Sequence, residues 1–188
     1  MGMRWLCLDP GDKRTGAALS SAEETFAVPL TVLEHGPEGP SPAQIDSLMG
    51  EHLVEAVLVG IPLSMDNTLS AQSRAAIRVA VRIATHLGSR LVVPCGLDIV
   101  RGGLPDWVTP ADSVADAGRL PVMFWDERLS TWSARRALYG GGQKGHGHES
   151  RLTRLDAHAA AVILQSYLDT VAGMHRRLEH PGDTTRCC

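Results

Sequence analysis

Carboxylates follow two apolar segments of the sequence. Asp9 comes directly after WLCL, and the pair Asp126-Glu127 comes directly after VMFW. Each segment is apolar at every position, which is typical of a strand covered on both sides of its sheet. Because ligands of open α/β sheets collect at the carboxyl ends of the strands, we expect these acids to meet at one edge.

A third acid, Asp156, falls on the last predicted helix. It shares a helix face with four apolar residues that follow it, namely Ala159, Ala160, Ile163 and Tyr167. This spacing predicts that Asp156 lies on the buried face, where a carboxylate needs a partner of opposite charge. Simpler interpretations stay open. In these, Asp9 caps the chain turn that follows it, and Asp156 is the N-cap of its helix or an acid in the first helical turn.

Three convergent carboxylates indicate a metal ion, because they cannot all stay ionised at close range without a cation. Oxygen ligands suit Mg²⁺ or Mn²⁺. One or two such ions can activate water and stabilise the leaving oxygen during phosphodiester hydrolysis. The residues therefore predict a carboxylate metal site, with Asp126 and Glu127 both available as the second acid.

Positive charge is concentrated in one segment of the chain. The 188 residues carry a formal net charge of −3, which by itself gives no argument for a nucleic-acid partner. Between residues 128 and 154 only one acid, Glu149, accompanies six basic residues: Arg128, Arg135, Arg136, Lys144, Arg151 and Arg154. We expect this segment to make electrostatic contact with a polyanion.

The sequence has no apolar segment of membrane length and no secretory signal pattern at its N-terminus. Its four cysteines lack the spacing of a metal site or of a disulfide framework; they are Cys7, Cys95, Cys187 and Cys188. We therefore expect a soluble, cytoplasmic protein with reduced thiols and no membrane partner.

The apolar pattern predicts an α/β fold with a mixed sheet. The first three strands, at 4–9, 16–20 and 27–33, follow one another through short turns and form an antiparallel meander. Helices capped by Ser41 and Ser70 then alternate with later strands, which implies parallel crossovers. Those strands are expected at 54–61 and 120–125, and two further helices at about 131–139 and 153–175.

Residues 94–119 interrupt this alternation. They are rich in Pro and Gly and lack periodicity, which predicts an insertion loop before the strand that ends in Asp126-Glu127. The insertion could gate substrate, contact a partner or simply be tolerated on the surface. We predict one domain over residues 1–175 and a disordered tail over residues 176–188.

Four motifs together resemble the YqgF family, also called RuvX, the Holliday-junction-resolvase-like or pre-16S rRNA nucleases of the RNase H-like superfamily. In chain order they are LDPGDKRTGAA, VGIPLSMDNT, LPVMFWDERLSTWSARRAL and LDAHAAAVILQSYLD. They lie within residues 4–169, outside the insertion. The sequence departs from the family at Ser20-Ser21, where Ser-Asp is common, and at Asp66-Asn67, where Asp-Gly or Asn-Gly is usual.

The resemblance implies an RNase H-like mixed sheet flanked by helices, with metal-dependent cleavage of nucleic-acid phosphodiesters. It assigns Asp9, Glu127 and Asp156 as catalytic acids and as ligands of Mg²⁺ or Mn²⁺. Strand parity does not choose between Asp126 and Glu127, because both alternating faces of VMFW are apolar. We favour Glu127 for its longer side chain and keep Asp126 as a further candidate metal ligand.

The resemblance also gives the basic residues near the acids a role in holding nucleic acid. Three are assigned to phosphates beside the metal: Lys13, Arg14 and Arg128. Three more are assigned to positioning the nucleic-acid backbone, with a solvated basic face as the alternative for the two arginines: Arg135, Arg136 and Lys144. Gly11 and Gly16 are expected to let the strand turn approach a phosphate closely.

The expected substrate is the 5′ end of pre-16S rRNA, in ribosomal precursor particles, and RNA is favoured over branched DNA. A Holliday junction-resolving endonuclease is the first alternative, and it would act as a symmetric homodimer rather than a monomer. A non-catalytic nucleic-acid-binding regulator is the second. A sugar-kinase or actin-like phosphate binder is the third, but 188 residues leave little room for its second lobe.

Overall fold

A mixed sheet of six strands forms the centre of the part of the chain that the structure describes. The structure is a computed structural model that describes residues 2–66, 68–94, 97–106, 108, 120–126 and 148–179, with side chains of the last range described for 155–176. The strands are β1 Trp5–Pro10, β2 Arg14–Ser20, β3 Ala27–Glu34, β4 Ala56–Ile61, β5 Arg90–Val92 and β6 Pro121–Asp126. They lie side by side in the order β3-β2-β1-β4-β6-β5.

Strand direction changes at β1. The pairs β1–β2 and β2–β3 are antiparallel, whereas β1–β4, β4–β6 and β6–β5 are parallel. Antiparallel neighbours follow each other through short turns, and parallel neighbours need crossover connections. The predicted fold class, a mixed sheet whose first three strands are antiparallel and whose later strands are parallel, is confirmed.

The described helices are α1 Pro42–His52, α2 Ala71–His86, α3 Asp98–Arg101 and α4 His148–Glu179. The two predicted N-caps are confirmed. Ser41 Oγ accepts a hydrogen bond from Gln44 N at 3.3 Å, and Ser70 Oγ accepts one from Ser73 N at 3.0 Å. Each bond satisfies a backbone donor that the first helical turn leaves without a partner.

Each face of the sheet has its own apolar layer. On one face, α1 and α2 pack against alternate strand residues that include Leu8 and Phe124. On the other face, α4 packs against the residues between them, including Cys7 and Trp125. Because successive side chains of a strand point to opposite faces, the parity of a residue decides which layer it meets.

Three elements differ from the prediction. The sequence pattern does not predict β5 or the short helix α3, which lies inside the predicted insertion. Helix α4 begins at His148 and continues to Glu179, past the predicted end of the domain at residue 175. The helix predicted near 131–139 and residues 180–188 lie outside the described residues. Among the described helices, none is both long enough and apolar enough to cross a membrane.

Candidate active site at the carboxyl end of β1

Asp9 lies near the end of β1, beside the tight connection to β2. Its register partner across this hairpin is Gly16. A hydrogen bond of 2.9 Å from Gly11 N to Arg14 O closes the turn. Asp9 has the same parity as Cys7, which packs in the α4 layer, so strand alternation places its partly exposed side chain on the α4 face. Strand β1 lies inside the sheet, between β2 and β4.

Gly16 lets α4 approach the sheet at this point. A Cβ added to Gly16 would lie 2.5 Å from the carbonyl carbon of Asp156 and closer still to its oxygen. Close-packed backbone cannot yield to such a contact, so glycine alone fits. The helix therefore brings Asp156 over the register partner of Asp9. The close approach of α4 already accounts for a glycine at this position. The expectation that Gly16 lets the turn approach a phosphate closely stays a prediction.

Two sets of contacts hold α4 in this position. The ring of Tyr167 packs edge-on against Trp5 and Trp125, with centroids 4.7 and 5.2 Å away. Burial and, to a lesser degree, the Glu24 carboxylate raise the pKa of Tyr167, so its hydroxyl stays neutral. Gln165 Oε1 accepts a hydrogen bond of 2.9 Å from the backbone N–H of the first residue of β3. These contacts fix the helix against β1, β3 and β6.

Arg14 forms an ion pair with Asp156. Its Nε lies 3.4 Å from Asp156 Oδ2, and the two side chains are 32% and 37% exposed. Arg14 has the same parity as Gly16 in β2, which places it on the α4 face. The predicted burial of Asp156 is therefore wrong, because the carboxylate lies at the margin of the buried face and reaches water. The sequence pattern predicts the need for a cationic partner but not that Arg14 provides it.

A second contact that the sequence does not reveal holds the start of β2. The hydroxyl of the fully buried Thr15 lies 2.7 Å from His35 Nε2, and His35 Nδ1 lies 2.7 Å from the carbonyl oxygen of Gly36. A carbonyl only accepts, so Nδ1 carries the proton, and in the neutral ring Nε2 accepts from Thr15. The backbone N–H of His35 also donates to the carbonyl of Lys13 at 3.0 Å. Together these bonds hold the strand segment that carries Arg14.

Asp126 faces the other layer of the protein. It is the last residue of β6, it is 4% exposed, and its register partner in β4 is Ile61. Both Ile61 and Phe124, which has the same parity as Asp126, pack in the layer of α1 and α2. Strand alternation thus directs Asp126 away from the α4 face on which Asp9 and Asp156 lie.

Asp66, the acid that follows β4, forms hydrogen bonds within its own turn. Asp66 Oδ1 accepts hydrogen bonds from the backbone N–H and the hydroxyl of Thr68, at 3.1 and 2.8 Å. These bonds stabilise the charged form and lower the pKa of Asp66, which is fully exposed. The neighbouring Asn67 lies outside the described residues. The two hydrogen bonds within this turn account for the Asp66 carboxylate.

The remaining predicted site residues divide into two groups. Lys13 is exposed in the β1–β2 turn, next to Arg14, and Gly11 closes the same turn. The others lie outside the described residues, and their assignments stay predictions: Glu127, Arg128, Arg135, Arg136 and Lys144.

The carboxylates of Asp9 and Asp156 have the oxygen donors that Mg²⁺ and Mn²⁺ prefer. Both residues lie on the α4 face of the sheet, and Asp156 already pairs with the guanidinium of Arg14. These two features fit a site that binds positive charge. Over the described ranges, no group of three His, Cys, Asp or Glu residues could hold a metal ion. The described residues thus supply part of a donor set, and the favoured second acid of the prediction, Glu127, lies outside the described residues.

A sequence profile of the RuvX family, described as Holliday junction resolvase, matches residues 3–94 and 109–170 of the chain. The chain belongs to the RuvX family. The match confirms the family resemblance of the four motifs. It leaves residues 95–108 unmatched, and these lie inside the predicted insertion.

Curated relatives of this RuvX family member align with it over most of their own length. A protein of Novosphingobium aromaticivorans is 31% identical over 166 residues, which cover 88% of the chain and 84% of the relative. A protein of Caldanaerobacter subterraneus subsp. tengcongensis is 30% identical over 168 residues, which cover 89% and 97%. Both relatives carry the name "putative pre-16S rRNA nuclease".

Among solved structures, the chain is similar to Thermus thermophilus RuvC in complex with a Holliday junction substrate. The TM-score is 0.47 at 12% sequence identity, and the alignment covers 92% of the chain and 97% of the solved one.

Proposed function

We propose that this RuvX family member is a metal-dependent nuclease that trims the 5′ end of pre-16S rRNA. The family and its nuclease-named relatives make it a hydrolase acting on nucleic acids. The observation that supports the rest is the placement of the Asp156 backbone against Gly16, the register partner of Asp9 at the carboxyl end of β1. Two acids far apart in the sequence reach one face of the sheet because α4 rests on Gly16.

In this proposal Asp9, Glu127 and Asp156 hold Mg²⁺ or Mn²⁺ with carboxylate oxygens. When bound, the cation would activate water and stabilise the charge that develops on the phosphate. Asp9 and Asp156 are each carried by an element with extensive packing, a central strand and a helix held by aromatic contacts. Such rigid supports keep ligands in place before substrate binds, which lowers the reorganisation that catalysis requires.

Glu127 is our choice for the second acid, and the parity of β6 supports it. Asp126 shares its face with Phe124, in the layer of α1 and α2. An acid that acts with Asp9 and Asp156 must reach the α4 side of the sheet. The next residue along an extended chain has the opposite parity, which favours Glu127 over Asp126.

Basic residues around the acids would hold the phosphate backbone. Lys13 and Arg14 lie in the turn and first strand position next to Asp9. Arg128, Arg135, Arg136 and Lys144 keep the same assignment from the sequence. Contacts of this kind position a nucleic acid without reading its bases, so the choice of RNA must depend on substrate shape.

Cleavage of a labelled RNA that contains the pre-16S 5′ leader tests the proposal, with Mg²⁺ or Mn²⁺ supplied. We expect cleavage by the wild type, none after chelation, and none by Asp156→Asn at a preserved melting temperature. Cleavage that persists in EDTA would contradict the metal requirement.

A four-way DNA junction is the second substrate to compare, because the matching family profile is described as Holliday junction resolvase. Resolution of a junction needs two symmetric cuts, so the mass in solution belongs to the same experiment. Junction cleavage by a homodimer, with the RNA left intact, would replace the rRNA assignment. Binding of both nucleic acids without cleavage would favour a non-catalytic regulator.

A further inference from the structure

We propose that Arg14 is an exchangeable counter-ion, which neutralises Asp156 in the metal-free protein and turns to a substrate phosphate when a divalent cation binds. The inference rests on the proposed function, since it assigns Asp156 to the metal. It goes further because it gives one arginine two successive partners. The ion pair of 3.4 Å between Arg14 Nε and Asp156 Oδ2 is its starting point.

The position of the pair on the sheet indicates why a cation is needed there. Asp156 rests over Gly16, which is the register partner of Asp9, so two carboxylates share one face. Like charges at close range raise each other's energy unless a positive group lies between or beside them. Arg14 is two residues from Gly16 on the same face of β2, and it supplies that positive group without a metal.

The exposure of the pair makes exchange possible. The side chains of Arg14 and Asp156 are 32% and 37% exposed, so water reaches both ends of the interaction. Ion pairs of this exposure contribute little to stability and are easily separated. The backbone beneath them is fixed by contrast, through the pairing of β2 and the hydrogen bond from Thr15 to His35. The guanidinium can therefore change partners while the strand stays in place.

The chemistry of arginine suits the second partner. A guanidinium binds phosphate with two parallel hydrogen bonds and stays charged at any physiological pH. When a cation takes over the charge of Asp156, the Arg14 guanidinium is released beside it and becomes available to a substrate phosphate. In this way metal binding and phosphate binding support each other, although metal and arginine compete for one carboxylate.

Calorimetric titration with Mn²⁺ and Mg²⁺ tests the competition directly, with no substrate present. We expect Arg14→Gln to bind Mn²⁺ roughly tenfold more tightly than the wild type, the size expected when a positive charge next to a divalent ion is removed. Lys13→Gln is the matched control, because it removes the same charge from the adjacent exposed position. It should change the affinity by less than about twofold, since exposed charges farther apart are screened.

A double-mutant cycle in Mn²⁺ affinity gives a second readout. The wild type, Arg14→Gln, Asp156→Asn and the double variant are compared in the same titration. We expect Arg14→Gln to tighten Mn²⁺ binding where Asp156 is present and to leave the weaker binding of Asp156→Asn unchanged, because the arginine competes with the cation for that carboxylate. With substrate, Arg14→Gln should raise KM for the nucleic acid while lowering the Mg²⁺ concentration needed for half-maximal cleavage.

The outcomes separate this inference from the function on which it rests. A wild type that binds neither Mg²⁺ nor Mn²⁺ overturns both. A wild type that binds metal, together with an Arg14→Gln variant that binds it no more tightly, overturns only the exchange. An equal gain in Mn²⁺ affinity from Arg14→Gln in the Asp156→Asn background also overturns it, because the arginine would then repel the cation without competing for the carboxylate.

Discussion

The acids at the ends of β1 and β6 differ in the layer that they face. Asp9 has the parity of Cys7 and lies on the α4 side, where Asp156 and its partner Arg14 also lie. Asp126 has the parity of Phe124, lies on the side of α1 and α2, and is 4% exposed. A carboxylate at the end of a strand is thus not enough to identify a catalytic position. Its parity decides whether it can meet the other acids.

The largest effect that can test this comparison is expected at Asp9. Asp9→Asn keeps the shape of the side chain but removes the charge that holds a divalent cation. We expect cleavage to fall by roughly a thousandfold, in the range found when one electrostatic stabiliser of a transition state is removed. Initial rates on the RNA leader at saturating Mg²⁺ measure the loss.

Asp12→Asn is the matched control for Asp9, because Asp12 is an exposed acid in the same hairpin turn. It should cleave at the wild-type rate and unfold at the wild-type temperature. Equal losses in both variants would indicate that general charge in the hairpin matters, rather than the face on which Asp9 lies.

The second test compares the two adjacent acids at the end of β6. We expect Glu127→Gln to lose at least about a hundredfold in cleavage with little change in stability, because it removes a ligand rather than a packed group. Asp126→Asn should keep cleavage within about threefold and unfold more easily by about 1–3 kcal/mol, because it alters a buried polar group. Urea unfolding and cleavage rates measure the two effects. The reverse assignment would follow if Asp126→Asn abolished cleavage in a fully stable protein.

The third test compares two glycines with opposite surroundings. Gly16→Ala forces a Cβ into the backbone of α4 at Asp156, and we expect a loss of about 1–3 kcal/mol or more in unfolding free energy, together with weaker cleavage. Gly50→Ala, in α1, meets no atom within 4 Å and should stabilise the protein by up to about 1 kcal/mol. Thermal unfolding measures both. A stable Gly16→Ala variant would contradict the close approach of α4 to β2 at Gly16.

Sequence patterns predicted the layers of the fold better than the details of the site. The alternation of strands and helices and the caps at Ser41 and Ser70 are local signals, and the structure confirms them. The strand β5 has three residues and α3 has four, so neither is long enough to display a period. Such short elements depend on neighbours that the local pattern does not contain.

The site was harder to predict because its decisive contacts join distant segments. Nothing near Gly16 indicates that the backbone of α4 will lie on it, and that contact decides where Asp156 is. Helix offsets correctly placed Ala160 and Ile163 in the core but overestimated the burial of Asp156, which lies at the end of the buried stretch. The face of the sheet on which Asp126 lies could be assigned only from the register of β6 with β4, because both faces of its strand are apolar.

The smallest expected effect concerns Asp66, the acid that follows β4 between the other two strands. Its carboxylate accepts both hydrogen bonds from Thr68, which lower its pKa. A group with a depressed pKa in the folded state stabilises the protein above its unfolded value of about 3.9, and that contribution is lost as pH falls through the folded value. We expect Thr68→Val to raise the pKa of Asp66 in an NMR titration below pH 5 while cleavage at neutral pH stays unchanged. Thr85→Val, at an exposed helical position, is the control and should leave the pKa of Asp66 unchanged. If Thr68→Val instead impaired cleavage as strongly as Asp9→Asn, the loop after β4 would belong to the active site, and parity would no longer separate catalytic from structural acids at this edge.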